Sequence, residues 1–492
     1  MIIKKDQDEI QNYLTDASNT TGFCDAVYIP ENVEELKDIV KGLNNSKTEI
    51  TISGNRTGLT GASMPRGGVV ISTEKFNRII EINVEEKFAI VEPGVLLSEL
   101  QNSVKTKGLL YPPDPTEKNC FIGGNIATNA SGARTFKYGP TRNYVEELNV
   151  VLADGDSIHL VRGKNIAKDF SLTLTTDSGK NINLHIPQIK MPETKNASGY
   201  FCKKDMDAID LFIGSEGTLG IITKIKLKLI PQPVNELSCV LFFESEEIGL
   251  NFLIKAREET YRNHIEKNTD GIDAIVLEFY DGNSLDFLRK DFPNIPADAE
   301  SAVWFEQECD NNEDQMLQLW INLFAEFGGN EEEAWFASTE KDKERLVEFR
   351  HAISVNTNEY MARHNVRKLG TDVAVPDNKL IEFYNSAKKL VEESKIHYLN
   401  YGHFGNSHMH LNMLPKNEEE FAKGKKLYQS ICELAIKMGG TFSAEHGVGK
   451  NKTEYLVKMY GEENVNKMRM IKKTLDSNYI LSVGNIFKKG NL

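Results

Sequence analysis

Four of the chain's 10 histidines, at positions 403, 408, 410 and 446, stand close together near its C-terminal end. In HMHLNML, starting at His408, the period of two puts His408, His410 and Asn412 on one face of a strand. Met409, Leu411 and Met413 fall on the other, so a chemical face is backed by a core face. His403 lies just upstream in GHFGN, where a loop can bring it to His410. Glu445 and His446 are neighbours in SAEHGVGK, so in extended backbone one can face a metal while the other faces a substrate. Two imidazoles and a carboxylate suit zinc or another divalent ion, with positions left open for substrate. The same spacing serves equally a hydrogen-bonded histidine network without metal.

These residues must be carried by elements, and the chain changes pattern along its length. Up to about residue 235, short runs rich in Ile and Val alternate with glycine-rich turns: EITISG ending at Gly54, GGVVIST from Gly67, FAIVEPG from Phe88, ELNVVLADG from Glu147 and IITKIKLKLIP from Ile221. A helix is expected around Asn32 to Leu43. Pro231 and Pro233 mark a boundary, after which strands such as SCVLFFE and AIVLEFY alternate with amphipathic helices around Asp314 to Phe327 and Lys341 to Thr357. The expected organisation is α+β, with a cofactor domain at 1–235, a second α+β domain carrying the histidines at 236–450, and a C-terminal segment at 451–492. In that segment ILSVGNIF returns to the first domain.

At roughly 150 residues per domain, 492 residues hold two to four domains and exclude a small binding module. A net charge of −14 leaves no basic footprint for nucleic acid. The N-terminus MIIKKDQDEI lacks the apolar stretch of a secretory signal, and no run approaches the ~18 apolar residues of a membrane span. Six scattered cysteines form neither a disulfide framework nor an iron–sulfur ligand set. A cytoplasmic protein is expected, with peripheral membrane association left open.

Of 36 glycines, 12 fall in three windows, 54–68, 123–139 and 214–220. They are not a Rossmann fingerprint, because the one GxG, Gly447 and Gly449, has Lys452 where the third glycine belongs. Nor are they a P-loop, because no Gly-Lys pair precedes Ser or Thr. The first window, Ser53-Gly54-Asn55-Arg56-Thr57-Gly58-Leu59-Thr60-Gly61, can converge backbone N–H groups on a diphosphate. Any one window alone reads as a tight turn in a β-rich domain; three together at strand ends do not.

GNRTGLTGASMP, PPDPTEKNCFIGGNIATNASGARTFKYG and DLFIGSEGTLGIIT resemble the FAD-binding domain of the vanillyl-alcohol oxidase superfamily. The similarity is strongest to the branch of D-lactate dehydrogenases, the glycolate oxidase flavin subunit and D-2-hydroxyglutarate dehydrogenases. The resemblance implies a two-subdomain FAD-binding domain and an α+β substrate (cap) domain. It implies that Gly54, Asn55, Arg56, Thr57, Gly58 and Thr60 hold the FAD diphosphate. Pro115, Gly124, Asn125, Thr128, Asn129 and Gly132 would line flavin and ribityl chain, and Glu216, Gly220 and Ile222 the adenosine half. The first histidine is His159, beyond the first two glycine windows, so non-covalent FAD is expected.

GHFGNSHMHLN is similar to the family's metal motif, which implies His403, His410 and Glu445 as ligands of zinc, or else manganese or iron, and His446 as the base. Asn406, Ser407 and His408 depart from the usual Asp, Gly and Asn of that motif, and His408 is placed to alter metal choice or add a ligand. Arg350 in EFRHAIS resembles the family's carboxylate clamp, with Ser354 and Asn412 as further substrate contacts; by composition alone Arg350 reads as a solvated helix face. The hydroxyglutarate branch has a lysine where this chain has Gly370, with Lys368 nearby as a substitute, which favours a short monocarboxylic substrate such as D-lactate; D-2-hydroxyglutarate and glycolate are the alternatives. The expected activity is FAD-dependent oxidation of a D-2-hydroxy acid to the 2-oxo acid. The acceptor would be an electron-transferring flavoprotein, an iron–sulfur subunit or a quinone, and a homodimer is allowed for. A non-catalytic electron-relay subunit is the competing reading, although a relay needs none of these histidines.

Overall fold

The β-like runs of the first half fold into two separate sheets. In the computed structural model, which describes residues 1–309, 312–337 and 339–489, strands Ile2–Lys4, Ala26–Ile29, Val69–Ser72 and Ile50–Ser53 lie in that spatial order, the last three parallel. Residues 490–492 of the expected C-terminal segment lie outside the described residues. Parallel strands need a crossover, and helix Val33–Ser46 supplies it, started by Asn32 accepting the Glu35 N–H. The second sheet is antiparallel, in the order Ile79–Asn83, Phe88–Val91, Ile221–Lys228, Val145–Val151 and Ser157–Val161. Along Ile221–Lys228, Ile221, Ile225 and Leu227 are buried while Lys224 and Lys228 are exposed, the alternation of a sheet packed on one face. The glycine windows sit where these elements end or begin: Gly54 follows Ile50–Ser53, Gly220 precedes Ile221–Lys228, and Gly123 and Gly124 open helix Ile122–Thr128.

From Asn235 onward the chain builds an eight-stranded sheet around Asn235–Phe243, Ser301–Cys309, Ala274–Asp281, Tyr398–Gly402 and His408–Met413, in that order. Its strands are apolar on both faces because both are covered. Leu241, Leu277, Phe279 and Phe305 pack with Leu250, Phe252 and Leu253 of helix Glu246–Glu266. Val240, Val276, Tyr280 and Trp304 pack with Leu346, Phe349 and Ile353 of helix Glu340–His364. Sheets covered on both sides read as near-continuous apolar runs. Three buried carboxylates interrupt those runs, Glu278, Asp281 and Glu306.

After helix Thr453–Leu475, broken at Gly461 (φ 77°, ψ 154°), the chain returns to the first sheet. Ile50 donates its N–H to Ile480 O at 2.7 Å, and Ser482 N–H donates to Ile50 O at 2.7 Å. The return is anchored by Lys472, 2% exposed at its side chain, which donates to Thr218 O and Leu481 O at 2.9 Å each and to Asp476 Oδ2 at 2.8 Å. Removing one partner of a buried ion pair costs about 3–5 kcal/mol, because the other charge stays buried and uncompensated. Asp476→Ala is therefore expected to lower the stability to denaturant by about that amount in a urea titration followed by tryptophan fluorescence. A loss under about 1 kcal/mol would contradict the anchor.

Candidate functional site

The hairpin of Tyr398–Gly402 and His408–Met413 sets the first histidines. Register places Tyr401 opposite His410, and the turn Phe404–Asn406 carries His403 at its mouth, closed by Ser407 at φ 50°. Gly402, at φ +139°, lies where a Cβ would stand 3.0 Å from the His410 ring, so glycine lets that ring fold back over the turn. The rings of His403, His408 and His410 gather with centroids 4.4–5.3 Å apart. Met409, Leu411 and Met413 are core, but His408 and Asn412 are buried too, so the chemical face lies under cover rather than in solvent.

The cover is segment 443–446, held to the short strand Val373–Ala374 by the residue before it. Asp372, 0% exposed, accepts the N–H groups of Glu445 (3.1 Å) and His446 (3.0 Å), the Ser443 hydroxyl (2.7 Å) and the Lys452 ammonium (3.1 Å). It also lies 3.1 Å from His408 Nε2 and 3.3 Å from His446 Nδ1. Burial would raise this carboxyl, but His446, Lys452 and His408 hold it well below the usual carboxylate range.

A nitrogen-by-nitrogen account shows what the cluster presents. His403 Nδ1 meets Glu278 Oε1 at 2.5 Å and its Nε2 faces Glu445 Oε1 at 3.4 Å. His410 Nδ1 meets Thr371 O at 3.1 Å and its Nε2 faces Glu445 Oε2 at 3.9 Å. One ligand atom from each of His403, His408, His410 and Glu445 lies within 4.8 Å of every other. In His403 and His410 the N–H is directed outward to a fixed acceptor and the remaining lone pair inward, the arrangement that orients an imidazole toward a metal. Lone pairs converging on a carboxylate fit a divalent cation. Burial would raise the Glu445 carboxyl, but the Lys195 ammonium against its Oε1 and the His403 imidazole hold it well below the carboxylate range. Burial pulls His403 down, but Glu278 and Glu445 outweigh it and the net shift is upward; burial lowers His446, with Lys452 adding to it against Asp372.

The cluster opens into a cavity of about 1450 Å³ that reaches all three glycine windows, larger than the ~300–1,000 Å³ typical for a single small ligand. Gly54, Asn55, Arg56, Thr57, Gly58, Thr60, Pro115, Gly124, Asn125, Thr128, Glu216, Gly220 and Ile222 line it, together with Arg350, Ser354, His403, His410, Asn412, Glu445 and His446. Two expected residues do not. Asn129 ends helix Ile122–Thr128 at φ 51° and accepts the Arg142 N–H, and Gly132 is pressed against Asp114, with 2.0 Å from its would-be Cβ to Asp114 O. Glu216 lines the cavity, yet its carboxylate is occupied elsewhere, accepting the N–H groups of Val448 and Gly449 at 2.6 and 2.7 Å; burial pushes it up to about 7. Arg350 is not a solvated helix residue: its Nε lies 3.8 Å from Glu278 Oε2 and its guanidinium 5.3 Å from the Trp304 ring centroid.

Sequence reasoning assigned no role to Asp372, Glu278, Lys195 or Ser131, whose hydroxyl donates to Glu445 Oε1 at 3.1 Å. Glu278 carries a signal, a carboxylate inside AIVLEFY, since a charge in a buried strand needs a partner. Lys195, in a loop far upstream, carries none.

The remaining space has the features of a cofactor cradle. Gly58 and Gly124 line the cavity with no atom within 4 Å of where a Cβ would stand, and the buried Asn125 Nδ2 has no partner among the described residues. Comparison with known proteins agrees. Residues 24–160 match the FAD binding domain and 258–486 the FAD linked oxidases, C-terminal domain. A D-lactate dehydrogenase of Anaerostipes hadrus is 31% identical over 93% of this chain and 88% of its own. The chain belongs to the FAD-linked oxidases. This FAD-linked oxidase is also 30% identical to the glycolate oxidase subunit GlcD of Bacillus subtilis (94% of this chain, 89% of that one). It is 29% identical to a D-2-hydroxyglutarate dehydrogenase of Stutzerimonas stutzeri (94% and 90%). Its fold is shared with alkyldihydroxyacetonephosphate synthase, with a TM-score of 0.68 at 16% identity over 98% of this chain and 81% of the other. That is the vanillyl-alcohol oxidase fold, and FAD is its cofactor. Gly124→Ala, whose added Cβ points into the cavity with no protein atom within 4 Å, is expected to leave the FAD-linked oxidase folded but to cut its bound flavin at least tenfold, about 1.4 kcal/mol of affinity, read as the flavin-to-protein absorbance ratio. Full flavin content in this variant would remove Gly124 from the cofactor site.

Proposed function

We propose that this FAD-linked oxidase converts a D-2-hydroxy acid, D-lactate foremost, to the 2-oxo acid, with substrate held between the glycine-lined end of the cavity and the histidine cluster. The observation that carries the reading is the continuity of that one cavity from the glycine windows to His403, His410, Glu445, His446 and Arg350. FAD supplies the hydride acceptor, and a divalent ion on His403, His410 and Glu445, zinc or else manganese or iron, supplies a Lewis acid for the hydroxyl. Arg350 pairs with the substrate carboxylate through its planar fork. Ser354 and Asn412, which flank the Tyr401 hydroxyl, fix its other side. His446 takes the hydroxyl proton at Nε2, its Nδ1 being turned to Asp372; burial keeps the ring neutral and able to accept. Electrons then pass to a separate acceptor, such as an electron-transferring flavoprotein, an iron–sulfur subunit or a quinone.

The short substrate is favoured by Gly370, where Asn412 Oδ1 would lie 2.5 Å from any added Cβ, leaving that position no room for the hydroxyglutarate branch's lysine. One observation favours a second carboxylate instead: Lys368 lines the cavity with no ion-pair partner among the described residues, and burial lowers its ammonium. Anaerobic mixing separates the two. D-lactate is expected to bleach the flavin faster than D-2-hydroxyglutarate or glycolate does, and faster bleaching by D-2-hydroxyglutarate would transfer the assignment to Lys368. His446→Gln is expected to retain flavin and to slow D-lactate bleaching by about 10²–10⁴-fold, the usual contribution of a general base. A loss below about tenfold would remove His446 from that role.

A further inference from the structure

His408 is the residue the family reading leaves without a task, and its surroundings define one. Its side chain is 0% exposed. Nε2 lies 3.1 Å from Asp372 Oδ1, an ionised carboxylate that only accepts, so the single N–H of the neutral ring belongs on Nε2. Nδ1 is then a lone pair, fully buried, with no hydrogen-bond partner among the described residues. It points toward the place His403 Nε2 and His410 Nε2 face, 3.9 Å from Glu445 Oε1. The three imidazoles thus share one pattern: each directs its N–H to a fixed acceptor, Glu278, Asp372 or Thr371 O, and turns its other nitrogen inward. The donors that do reach the cluster, the Lys195 ammonium and the Ser131 hydroxyl, both go to Glu445 Oε1, and neither satisfies His408 Nδ1.

We propose that His408 is a third imidazole ligand, so that the ion is held by His403, His408, His410 and Glu445. The proposal rests on the metal site of the preceding section and departs from it in donor count. Two consequences follow. Four protein donors would fill a tetrahedral zinc shell, so a substrate oxygen would bind only by expanding it. A third imidazole also shifts preference from manganese, which suits oxygen donors, toward zinc or iron.

The test uses the flavin-loaded, full-length protein and zinc or manganese as the probe. X-ray absorption fine structure of the zinc-loaded wild type is expected to count three imidazoles, and His408→Asn two. In chelator competition His408→Asn is expected to bind zinc about tenfold or more weaker and to narrow the zinc-over-manganese preference, with flavin content reporting that it folds. Two imidazoles in the wild type, or equal zinc affinity in both proteins, would overturn the third ligand while leaving the metal site standing. A wild type that binds neither ion would overturn both readings. The wild-type imidazole count decides the matter even if the variant does not fold.

Discussion

The buried carboxylate of Asp372 is the interaction on which the rest of the site depends. Taking an ion out of water costs several kcal/mol unless it is paired and fully hydrogen-bonded. Asp372 meets that condition only by drawing in three separate pieces of chain: the hairpin strand with His408, the loop with Ser443, Glu445 and His446, and Lys452 at the start of the last long helix. Because two of its donors are the backbone N–H groups of Glu445 and His446, the carboxylate sets the direction of both side chains, not merely their proximity. Without it, Glu445 and His446 would lose the backbone contacts that hold them beside the histidine cluster.

A second carboxylate ties this loop to the flavin side. Glu216, in the third glycine window, holds the N–H groups of Val448 and Gly449, while Thr60 of the first window accepts from Lys450 and Asn451 with its carbonyl. Asn485 of the returning C-terminal segment donates to Ala62 O and Glu216 O at 3.1 Å each. The loop that follows His446 is thus pinned to the glycine windows that line the cavity, and this cross-bracing fixes the histidine cluster relative to the glycine-lined end.

Much of the fold was legible along the chain. The strands around Ile50, Val69, Phe88, Glu147, Ile221, Ser238 and Ala274 announced themselves by β-branched runs bounded by glycine or proline, because those signals are local. The glycine windows stood out for the same reason, and all three reach the one large cavity. Illegible were Asn129 and Gly132 as structural rather than lining residues, and Glu216 as a loop anchor: glycine-rich segments look alike whether a given residue faces a ligand or a neighbouring backbone. Lys195 and Glu278, which flank the ligand set, come from elements far apart in sequence, and no spacing rule links them.

The sequence by itself determined the kinds of chemistry present, a dinucleotide cradle and an imidazole–carboxylate cluster, because residue type and local period are written in order along the chain. Only the tertiary structure decided which way each imidazole is turned. That direction is set by acceptors at positions 278, 371 and 372 that reach the histidines through the packing of the sheet.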